Sequence, residues 1–99
     1  MARVITPEGE EYIITISGNA VADAMLFHET VGGILEVYEI AHTAVMIHSA
    51  DHSWDNTDVL KYGNSVASEL LRREYGIIMP VLGTVIIIDL EDFAMRMMG

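Results

Sequence analysis

Four side chains, His48, Asp51, His52 and Asp55, recur at intervals of three or four residues. On a helical turn that rhythm puts two imidazoles and two carboxylates on one face, a donor set suited to a divalent metal. On a strand followed by a loop, the same residues stand at a strand's end beside a helix start. There, aspartate and asparagine most often cap, and a histidine is simply solvated. The stretch from His42 to Asp58 holds three of the four histidines, three of the six aspartates and the only tryptophan, Trp54. His42 and His28 are further candidates, able to join the cluster through folding or through a neighbouring subunit. Trp54 reads as a lid over the helix start or as an anchor in a subunit contact, where aromatic residues are enriched.

Proton transfer is the second chemistry these residues allow. Imidazole titrates near neutral pH, so His48 or His52 would serve as a general base, oriented by Asp51 or Asp55 through a ring N–H. Ser49 and Ser53 supply hydroxyls nearby. A nucleophile and its base normally come from different elements, which argues against hydrolysis by neighbours along the chain. His28 lies on an otherwise apolar helix face, where a hydrogen-bonded core histidine is the commoner outcome.

Several named motifs are approached and missed. HETVG at His28 to Gly32 lacks the second histidine of the HExxH zinc motif. Asp51, Ser53 and Asp55 imitate the opening of a calcium loop, but Asn56 replaces its glycine and Tyr62 stands where its bidentate glutamate belongs. Neither GxxxxGK[ST] nor GxGxxG occurs, so neither nucleotide-binding device is present. The chain has no cysteine, which excludes disulfides, thiolate metal sites and thiol nucleophiles.

The elements that must position these residues follow from pattern. Arg3 to Thr6 and Glu11 to Ser17 flank Pro7-Glu8-Gly9-Glu10, the outline of a β-hairpin. Asn19 caps an amphipathic helix over Ala20 to Val31, with Val21, Ala24, Met25, Phe27, His28 and Val31 at helical spacing and Gly32-Gly33 as its stop. Residues 34–49 fit a helical stripe as well, but their β-branched and aromatic content favours two strands, 34–40 and 43–49, joined at Ala41-His42. A helix is expected from Thr57 to Tyr75, with Arg72 and Arg73 at its negative end and Gly76 closing it. Gly63 inside that helix implies that another backbone passes close. Ile77 to Asp89 reads as a central strand buried on both faces and bent at Pro80 to Gly83. A short C-terminal helix carrying Leu90, Phe93 and Met97 would follow.

Ninety-nine residues suffice for one domain over residues 1–99, burying roughly two thirds of the unfolded chain's surface. The element order resembles the ferredoxin-like βαββαβ arrangement, an α+β fold with an antiparallel sheet and both helices on one face, here with an extra N-terminal hairpin strand. That architecture hosts enzymes, metal carriers, ligand sensors and assembly modules, so it selects no function by itself.

Fifteen acidic against five basic residues give a formal charge of −10, which opposes binding to phosphate backbones. Nucleic acid is not an expected partner. Nor is a membrane: the longest apolar run, Ile77 to Ile88, is too short for a spanning helix, and MARVITPEGE has no apolar signal core, so the default location is cytoplasmic. A hydrophobic content of 52% exceeds what one small core readily hides, which points to a homo-oligomer, a dimer or higher, using an apolar sheet face or edge and the methionine-rich tail. Three functions fit. The first is a homo-oligomeric module binding a small ligand or a divalent metal near His48, Asp51, His52 and Asp55. The second is a small acid/base enzyme with its His/Asp site at a subunit boundary. The third is an acidic interaction module with no site, in which the cluster merely caps a helix.

Overall fold

A computed structural model describes residues 2–42, 44–50 and 60–89. Strands β1 (Ala2–Ile5) and β2 (Glu11–Ile14) form the expected hairpin. Gly9 donates its N–H to the Thr6 carbonyl at 3.0 Å with Pro7 between them, and its φ of 92° closes the turn in the left-handed region. Helix α1 (Ala20–Val31) starts where Asn19 accepts from the backbone of Val21 and Ala22, and Gly32 ends it. Strands β3 (Leu35–Ala41) and β4 (Ala44–Ser49) follow, so the two-strand reading of this stretch holds. Helix α2 (Ser65–Tyr75) and strand β5 (Val85–Asp89) complete the described elements. The expected C-terminal helix lies outside the described residues.

Of the helix expected from Thr57 to Tyr75, residues 57–59 lie outside the described residues, and the described part is broken. Residues 60–62 are helical, but Gly63 forms a β-bridge with Leu82 and Asn64 becomes the cap of a new helix. A backbone does pass close to Gly63, as its lack of a side chain suggested: Gly83 donates to the Tyr62 carbonyl at 2.8 Å, and Asn64 donates to the Val81 carbonyl at 2.7 Å. These bonds replace the intrahelical ones, so the approach interrupts the helix. Gly76, at φ 68°, stops α2 in the left-handed conformation, with Ile77 bonding back to the Leu71 carbonyl. The chain from 77 to 81 then runs irregularly, and the strand begins at Val85 rather than at Ile77.

The sheet is antiparallel throughout, in the order β2-β1-β5-β4-β3. This departs from the ferredoxin-like order, which would put β2 between β5 and β4; instead β1 pairs with β5 and β2 is an edge. The composition of the strands accounts for it. Ala2, Val4 and Ile5 are fully buried, so β1 needs neighbours and cover on both sides, whereas Glu11, Tyr12 and Ile13 of β2 are exposed and tolerate an edge.

The helices also lie on opposite faces, not on one. Ile5, Met46, Val85 and Ile87 pack with Ala67, Leu70 and Leu71 of α2, while Val4, Val45, Ile47, Ile86 and Ile88 pack with Phe27 and Val31 of α1. Alternate residues of β4 and β5 thus enter two separate cores. Strands apolar on both sides require cover on both sides, and one helix supplies each. The fold is an α+β three-layer arrangement with the sheet in the middle.

Candidate functional site

His48 is the second-to-last residue of β4 and is 5% exposed. Alternation from Ala44 and Met46 puts it on the α2 side of the sheet. It stands directly across the ladder from Glu36 of β3, and its Nε2 lies 3.8 Å from Glu36 Oε1. Its Nδ1 lies 3.2 Å from the Ser49 carbonyl. A carbonyl only accepts, so this contact puts a hydrogen on Nδ1. Two atoms 3.8 Å apart can both reach a zinc-sized ion at about 2 Å, so Nε2 and the Glu36 carboxylate are spaced to share one. Fixing a ligating imidazole through its other nitrogen and a backbone carbonyl is a common feature of metal sites.

The other candidates are distributed as follows. Asp51, His52, Trp54 and Asp55 lie outside the described residues, beginning two positions past the end of β4. His42 is exposed at the turn between β3 and β4. The strand from Ala44 to His48, about 13 Å at 3.3 Å per residue, lies between that turn and His48. His28 is exposed near the end of α1, where its Nδ1 meets the Gly33 carbonyl at 3.0 Å, and its helix covers the opposite face of the sheet from His48. It is hydrogen-bonded, as expected, but it is not a core residue. Within one chain, therefore, His28, His42 and His48 do not converge. Among the described residues no group of three or more histidine, aspartate and glutamate side chains is placed to hold a metal ion.

No match was found. Neither family models, nor curated proteins, nor solved structures give one for this chain. Among the described residues no helix is long and apolar enough to cross a membrane.

Two buried polar residues escaped the sequence reading. Asp23, on the first turn of α1, accepts from the Ser17 backbone at 2.9 Å, the Ser17 hydroxyl at 2.7 Å and the Gly18 backbone at 3.3 Å, locking the chain's entry into the helix. Asn64, 1% exposed, caps α2 and donates its side-chain amide to two carbonyls. Both hold backbone at the start of a helix and so position elements. The signal for Asn64 was legible: Gly63-Asn64-Ser65 is cap chemistry inside a helical pattern. Between α2 and residues 78–81 runs a groove of about 560 Å³, lined by Ser65, Ser68, Glu69, Arg72, Ile78 and Met79 among others. Ser68 already accepts from the Val81 backbone there, and Arg72 is paired with Glu69. The guanidinium hydrogen bond holds the Glu69 carboxyl below its ordinary pKa and raises that of Arg72.

Proposed function

We propose that the chain is a small homo-oligomeric module that binds a small ligand or a divalent cation at the corner where β4 ends. The observation that carries this reading is the cross-strand pair of His48 and Glu36, with Nε2 and a carboxylate oxygen 3.8 Å apart and the imidazole oriented through Nδ1. In this reading His48 and Glu36 are the first two donors, and Asp51, His52 and Asp55 supply the remainder from the following segment. Trp54 would report on it. Association between copies is supported by apolar surface left exposed on α1, where Val21 and Met25 sit one turn apart, and by Ile34.

Zinc titration of the purified protein tests the binding. The expected outcome is a rise in melting temperature and a change in tryptophan fluorescence, both abolished by His48→Ala and unaffected by His42→Ala. Unchanged melting and fluorescence, or a His48→Ala variant that still responds fully, would remove the reading. Sedimentation equilibrium tests the association separately, a monomer at all concentrations being the contrary result.

A further inference from the structure

Strand β3 is the longest described strand, and it lies at an edge of the sheet, where short strands are the usual safeguard against pairing with other chains. Its ladder phase can be read from one bond. Ala50 donates its N–H to the Ile34 carbonyl at 2.7 Å, which makes these two a hydrogen-bonded pair in register with Leu35↔Ser49 and Glu36↔His48. Antiparallel pairs alternate, so Glu36 and Tyr38 direct their backbone groups to β4 while Leu35, Val37 and Glu39 direct theirs outward. Among the described residues those outward groups meet no further strand. Val37 and Tyr38 remain 49% and 41% exposed, Glu36 and Glu39 are exposed too, and β3 carries no basic residue.

We propose that this edge docks an extended basic peptide, which adds to the sheet beside β3. Its backbone would exchange hydrogen bonds with Leu35, Val37 and Glu39, and two Lys or Arg residues three positions apart would stand opposite Glu36 and Glu39. The spacing is imposed by the strand: Glu36 and Glu39 point to opposite faces, as do positions i and i+3 of any added strand, whichever way it runs. Between them, β-branched or aromatic residues face Val37 and Tyr38. Strand addition of this kind draws affinity from the backbone and selectivity from alternate side chains. The formal charge of −10 favours encounter with a basic segment. A second copy of the chain is less suited, since it brings the same charge and its own β3 offers no cation to either glutamate. The proposal shares Glu36 with the His48 corner, where a bound cation would compete with the peptide for that carboxylate, whereas Glu39 belongs to this edge alone.

The probe is a fluorescein-labelled ten-residue peptide with Lys-Val-Thr-Lys at its centre, followed by anisotropy. Binding is expected at low salt, weakening as salt rises. Glu39→Lys, an exposed change away from His48, is expected to weaken it roughly tenfold by turning one attraction into a repulsion. Two changes to the peptide leave the protein untouched: Glu-Val-Thr-Glu at the centre, and methylation of the two central amide nitrogens. Both are expected to abolish binding, while the bound basic peptide slows amide exchange at Leu35, Val37 and Glu39. The idea is overturned if the basic peptide does not bind, if the acidic or N-methylated peptide binds equally well, or if protection appears elsewhere. It is also overturned if sedimentation shows a dimer that Glu39→Lys alters, because β3 would then be occupied by a second copy.

Discussion

The side-chain amide of Asn64 donates to the carbonyl of Ile5, a residue 59 positions earlier in the chain, at 3.0 Å. The same amide donates to the Gly83 carbonyl at 2.9 Å, and its oxygen accepts from the Ala67 backbone at 3.0 Å. One buried side chain thus ties the end of β1, the approach to β5 and the start of α2.

Replacing Asn64 with alanine leaves two carbonyls without their donor and a helix without its cap. The expected cost is about 3 kcal/mol in urea denaturation, since each unmet buried group and each lost cap contributes at least about 1 kcal/mol. Asn64→Asp keeps the cap but removes both donations. It should recover only a minor part of the loss, and full recovery would show that the cap alone matters.

The two cores make a second prediction. Leu71 packs on the α2 side and Ile86 on the α1 side, with the sheet between them. Truncating either to alanine is expected to cost about 2 to 5 kcal/mol. Because they share no cluster, the double variant should show the sum within about 0.5 kcal/mol, measured in a background stable enough to remain folded. A larger coupling would mean that the sheet transmits strain between layers.

Amide exchange in the free protein checks the ladder phase of β3. The Glu36 and Tyr38 amides, which bond to β4, should exchange slowly, and those of Leu35, Val37 and Glu39 should exchange quickly. The reverse alternation would shift the pairing by one residue and move every side chain of β3 to the other face.

The Glu69–Arg72 pair sets a small dependence on pH. The Glu69 carboxyl is held below its ordinary value in the folded state, so the pair stabilises above the unfolded glutamate pKa, and that contribution is lost as pH falls through the lower folded value. Both side chains are more than half exposed, so the effect is modest and screened by salt. Glu69→Gln should melt slightly below the parent at pH 7, and the difference should vanish in strong acid. A constant difference across that range would assign the effect to packing.

Much of this fold was legible because local signals agreed with tertiary demands. Asn19 and Gly32 bound α1 in both the sequence and the structure, and the β-branched run from Ile34 to Ser49 formed strands. The helix break at Gly63 was harder to see. Apolar residues keep helical spacing through Val59, Gly63, Val66 and Leu70, and what interrupts the helix is the backbone at Leu82, nineteen positions downstream of Gly63. Periodicity carries no trace of such a partner. The layer order was recoverable in part: Ile86 and Ile87 are both buried, and two-sided burial requires two covering layers. Choosing one face for both helices followed the familiar element order instead. For the candidate site, the sequence located His48 beside a strand end but could not supply Glu36, because cross-strand register depends on a turn that lacks glycine.

The pairing of Ala2 with Ile88 has a consequence for biosynthesis. The strand in the middle of the sheet is the last described strand to be translated, so until it emerges the β1–β2 and β3–β4 hairpins are separate two-stranded ribbons, each marginal in water. The nascent chain cannot settle piecemeal. It must hold two unfinished halves apart until β5 joins them, and such distant pairing makes folding slow.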